Sequence, residues 1–161
     1  MEVDISQRIP DKQSNHSRNA VIRRVRNVSV IMLGLLLLQY LLGMASNLFV
    51  NFPTENPSVK NPLDSVFVNG PYLLLFHIAV GLALGIVSIT LIVLSAIARK
   101  RSLILISSIG FVSVLLAGES GIEFVLGWYL NNLFSFLMSS GFILAFIAFF
   151  ALLWYTNQRK V

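Results

Sequence analysis

The sequence predicts an all-α fold, a polytopic membrane bundle of four helices, with an internal duplication arranging them as two parallel-repeat hairpins if the repeat is genuine. Three observations carry this: too few charges for a water-exposed surface, four apolar runs of membrane-crossing length, and basic residues confined to alternate connections. Of 161 residues, 56% are hydrophobic and only 12% charged, against roughly 25% charged in soluble domains. The chain has no cysteine, which excludes disulfides, thiolate metal sites and cysteine nucleophiles. Its net charge of +5 does not point to nucleic acid, because the basic residues flank hydrophobic runs instead of covering a folded face.

Residues 1–27 read as a basic cytoplasmic tail, polar around Pro10, Asp11, Gln13, Ser14 and Asn15, with a short surface helix at most near its end. Residues 28–155 form the bundle, with apolar stretches at 28–50, 72–98, 102–126 and 133–155. At a rise of about 1.5 Å per residue, each spans about 30 Å of hydrocarbon. Residues 156–161 are a second cytoplasmic tail. A signal peptide is the competing reading of the first run, which is too long and too far from the start for that class.

Orientation follows from lysine and arginine, which are retained in the cytoplasm when they lie in short loops. Arg8, Lys12, Arg18, Arg23, Arg24 and Arg26 precede the first run, Arg99, Lys100 and Arg101 join the second and third, and Arg159 and Lys160 follow the fourth. Only Lys60 falls on the other side. The expectation is a multi-pass protein of the cell membrane with both termini cytoplasmic. The outer connection, residues 51–71, carries Pro53, Pro57, Pro62 and Pro71 together with Glu55 and Asp64, and its prolines predict a loop without regular structure.

The duplication rests on two alignments. Leu41, Gly43, Phe49 and Val50 lie over Leu116, Gly118, Phe124 and Val125 in one register, and Phe76 and Gly81 lie over Phe136 and Gly141. Both hairpins would then enter from the same side, related by an axis along the membrane normal.

Ionisable groups inside a span are expensive and therefore mark candidate sites. There are three: His77, Glu119 and Glu123. By residue count, His77 and Glu119 fall at comparable depths below the outer boundary. Glu119 and Glu123 share a helix face, where two carboxylates repel unless one is neutral or a cation intervenes. Asn47, Asn131 and Asn132 add hydrogen-bonding groups near that level. The expectation is one outer-leaflet pocket with His77 beside Glu119, and with Glu123 nearer water.

Three readings of the cluster stand: a structural network that locks the helices, a binding pocket for a small molecule, quinone or cofactor, and a mononuclear metal site, although only one histidine is available. Gln39 is expected to bond across the bundle. Gly81 and Gly85 follow His77 at steps of four, a small-residue face that admits another backbone. Ser113, Ser120, Ser135 and Ser139 suit helix contacts, and none has a histidine base arrangement, so nucleophilic catalysis has little support.

Two hairpins with His77 near one end of the second helix resemble the membrane haem-binding bundles of b-type cytochromes and of one half of haem A synthase. That resemblance implies His77 as an axial ligand. The repeat position that would supply a second histidine is Leu137, leaving Met44 or Met138 for the role. The segments 43–50, 117–124 and 132–138 are also similar to small prokaryotic four-helix integral membrane proteins of no assigned activity, which implies a fold and no function. The leading expectation is a non-enzymatic membrane protein embedded in the lipid bilayer, acting as a homo-oligomer or an accessory subunit of a larger complex. The alternative is a redox protein using His77, with its cofactor left open.

Overall fold

Residues 9–50 and 62–158 are described by a computed structural model. Arg8, Lys60, Arg159, Lys160, Pro53, Pro57 and Glu55 lie outside the described residues. The elements are α1 (Ile9–Phe49), α2 (Pro62–Asn69), α3 (Tyr72–Ile97), α4 (Arg101–Leu126) and α5 (Asn132–Asn157). Four of them, over Ser17–Phe49, Tyr72–Ile97, Arg101–Leu126 and Asn132–Asn157, are long and apolar enough to cross a membrane. The predicted bundle is the observed one.

Its cross-section is a square. Helix α1 touches α3 and α5, helix α4 touches α3 and α5, and neither diagonal pair is in contact. The most extensive contacts join α4 to α5 and α1 to α3, which are the two hairpins. Helix α2 packs over α3 and α4 at the loop end, with Val66 fully buried.

Small side chains share the interior with Met32, Leu91, Leu103, Phe149 and Leu152, and many large apolar ones cover the outside. Ser29, Ser88, Ser95, Ser107 and Ala145 are completely buried, whereas Leu41, Leu48, Leu82, Ile86, Leu105 and Val112 are all more than half exposed. That distribution suits a bilayer, in which the outer surface meets hydrocarbon and close helix approach supplies the stabilising dispersion contacts. Several buried hydroxyls find acceptors on their own helices: Ser29 donates to the Val25 carbonyl at 2.8 Å, Ser107 to Leu103 at 2.8 Å, and Ser113 to Ile109 at 2.8 Å, whereas Ser95 Oγ and Ser46 Oγ are buried without a partner. Such bonds remove the penalty of placing a hydroxyl in low dielectric.

Two expectations need correction. The first helix begins at Ile9 and not near residue 28, and Ile22 and Val25 belong to the core. Pro10 sits in the first turn, where its missing N–H costs nothing, and Arg18 donates from Nε to the Ala98 carbonyl at 3.5 Å, tying this basic stretch to the end of α3. The basic residues masked a helix that continues the apolar one. Likewise, the connection expected to be irregular contains α2, with Pro62 as its first residue. Proline stops a helix from within and is well suited to start one. Gly70 follows it because a Cβ there would overlap the Val66 carbonyl.

The turns differ in strain. Between α3 and α4, Arg99 adopts φ 52°; between α4 and α5, Trp128 and Tyr129 adopt φ 53° and 62°. Left-handed conformations at non-glycine residues cost about 1 kcal/mol or more each. The α4/α5 turn is held by Trp128 N–H to Val125 O at 3.0 Å and Tyr129 N–H to Phe124 O at 2.9 Å, and by an edge-on Phe124–Tyr129 ring contact at 5.7 Å.

Candidate functional site

The polar centre of the bundle lies between α1 and α3, where Gln39 Nε2 and His77 Nε2 are 3.2 Å apart. With the amide N–H donating, Nε2 of the imidazole accepts and its proton sits on Nδ1. Each partner rests on a glycine of the opposite helix. A Cβ on Gly43 of α1 would come within 3.2 Å of His77 Cε1, and a Cβ on Gly81 of α3 would come within 3.4 Å of Gln39 Nε2. The two long polar side chains therefore cross, each lying in a notch where a side chain is missing.

Local sequence makes this possible. Gln39, Gly43 and Ser46 recur at i, i+4 and i+7, one stripe of α1, and His77 and Gly81 are four apart on α3. The seam is not fully satisfied. Gln39 Oε1, His77 Nδ1 and Ser46 Oγ are buried without hydrogen-bond partners, at a cost of about 1–3 kcal/mol each if they stay unpaired.

The other predicted site residues stand elsewhere. Glu119 is exposed on α4, and Glu123 is the more buried of the two carboxylates, the reverse of the expected order. The reason is rotational: Ser120 occupies the inward position on α4 at 4% exposure, which turns Glu119 by about 100° to the outside. No hydrogen bond or ion pair among the described residues reaches either carboxylate. Asn47 is exposed on α1, and Asn132 is exposed at the start of α5. Asn131 is the N-cap of α5, its side chain accepting from Leu133 N–H at 3.0 Å. Of the six predicted residues, His77 is the one built into the helix interface, and its polar partner is Gln39.

Sequence reasoning anticipated a cross-bundle bond from Gln39 without naming its partner. It missed Gly43, Ser46 and Gly141; the first two were legible as the stripe that Gln39 begins. The close-approach glycine is Gly141, where a Cβ would lie 2.8 Å from both Ala117 N and Ser113 O. Gly85, expected to admit a backbone, has open space around it.

Haem fits these residues poorly. Nε2 of the imidazole is engaged by Gln39, and a Cβ added at Gly43 would lie 3.8 Å from Nδ1, so the ring is packed against α1. Among the described residues, no group of three or more His, Cys, Asp or Glu side chains stands together. A shallow depression lies at the opposite end, lined by Ile22, Lys100, Leu103, Tyr155 and Thr156. A comparison with known proteins finds no matching family model, curated protein or solved structure.

Proposed function

We propose that this chain is a non-enzymatic membrane subunit, working through helix packing as part of a homo-oligomer or a larger membrane complex. The observation that carries the reading is the seat of His77. The single histidine of the apolar spans is engaged by Gln39 and lies against Gly43, so its chemistry serves the joint between two helices. The hydroxyls of Ser29, Ser107 and Thr156 are similarly turned onto their own backbones. What the bundle offers its surroundings is an apolar exterior.

Native mass spectrometry from nanodiscs tests the proposal. The expected result is an oligomer or a stoichiometric complex with another membrane protein. A strictly monomeric species with no co-purifying partner contradicts it.

A further inference from the structure

Glu119 is the feature the bundle does not absorb. It lies seven residues before the end of α4, about 10 Å along the axis. A 26-residue helix measures about 39 Å and overhangs a 30 Å hydrocarbon layer by only about 4–5 Å at each end. The Glu119 backbone therefore lies inside the hydrocarbon. Side chains lean towards the N-terminus of their helix, which for α4 is the end away from the nearer boundary. Reaching outward to water is thus unfavourable, and a carboxyl group without partners at this depth is costly.

Its neighbours form a seam. Leu105, Val112, Glu119 and Leu126 recur at steps of seven, with Leu115 and Ile122 between them, and all six are exposed. This is the repeat by which two helices pack side by side with a slight left-handed supercoil, and one polar residue in such a seam fixes register and partner.

We infer that two copies of this chain meet along this α4 face, with their Glu119 carboxyl groups hydrogen-bonded to each other across a two-fold axis along the membrane normal. The inference rests on the subunit reading above and specifies its partner. Hydrogen-bond complementarity selects a second copy. A carboxylic acid carries both a donor and an acceptor, so two of them satisfy each other, and the symmetry axis brings equal depths together without adjustment. Among the described residues, the basic side chains from Arg18 to Arg26 and from Arg99 to Arg101 lie at the other end of α4, so no charge-paired contact joins Glu119 to the described helices of a second copy in the same orientation.

The test is dimerisation of the full chain in liposomes, read by single-molecule photobleaching over a dilution series in lipid. Wild type is expected to dimerise, Glu119→Leu to weaken dimerisation about 3- to 30-fold, the range of one interhelical polar contact in lipid, and Glu119→Gln, which keeps a donor and an acceptor, to lose less. Because Glu119 lies outside the bundle, both variants should fold, and unchanged SDS-titrated unfolding of the monomer confirms it. As the chain contains no cysteine, Ile122→Cys should form a disulfide-linked dimer and Ser120→Cys should not. Oligomers unaffected by Glu119→Leu overturn this inference and leave the subunit reading standing. A monomeric wild type that binds a polyleucine helix bearing one lysine, and loses it in Glu119→Leu, overturns the second copy in favour of a basic foreign helix. A monomer that binds neither overturns the pairing of two copies and leaves the subunit reading to the search for a co-purifying membrane protein.

Discussion

The two hairpins solve one problem by different means. Helices α1 and α3 are joined through crossed polar side chains, Gln39 and His77, each seated on a glycine. Helices α4 and α5 are joined through backbone proximity, with Gly141 against Ser113 and Ala117 and with Phe149 completely buried over Gly110. The glycines aligned between the two hairpins have different surroundings. Gly81 and Gly141 both face the first helix of their hairpin, whereas Gly43 receives His77 and Gly118 faces open space. A polar joint can be loosened by one substitution and partly restored by another; a backbone joint has no side chain to replace.

The sharpest way to break that contrast is at Gly141. A side chain there meets Ala117 N and Ser113 O at 2.8 Å, main-chain atoms that move only with their helix. Gly141→Val is expected to destabilise the bundle by about 3 kcal/mol or more, seen as a large shift in SDS-titrated unfolding followed by tryptophan fluorescence. Gly110→Ala comes next. Its Cβ would meet the Phe149 ring at 2.6–2.9 Å, and since a ring can tilt, the expected loss is about 1–3 kcal/mol. Phe149→Leu should recover part of it, a rescue with no counterpart at Gly141. In the first hairpin, Gly43→Ala presses on His77 Cε1 at 3.2 Å and is expected to cost about 1 kcal/mol or less. Gly85→Ala marks the low end. With no atom nearby, the gain in helix propensity should make it neutral or stabilising by up to about 1 kcal/mol.

These positions also show what could be read without coordinates. Four spans were legible because hydrocarbon imposes length and apolarity on every residue of a crossing segment, and the runs at 72–98 and 102–126 match α3 and α4 almost to the residue. The early start of α1 was hidden, since Arg23, Arg24 and Arg26 look like a tail until Ile22 and Val25 are seen facing the core. The polar cluster was misjudged because depth can be counted along a sequence, whereas rotation about the helix axis cannot when every face is apolar. His77 and Glu119 do fall in neighbouring helices, yet one turns towards Gln39 and the other outward. Gly141 was invisible for a related reason: a glycine's role depends on what approaches it.

Whether His77 serves helix packing through Gln39 is read out by a double-mutant cycle on this pair. Gln39→Leu and His77→Leu each leave a buried polar partner unpaired, whereas the double variant removes both. Each single variant is expected to lose about 1–2 kcal/mol of unfolding free energy, and the double variant to recover enough to give a coupling between about 0.6 and 1.7 kcal/mol, the average and the maximum for polar contacts between membrane helices. Additive losses, with a coupling below about 0.3 kcal/mol, would contradict that packing role and leave His77 to be explained by something other than its contact with Gln39.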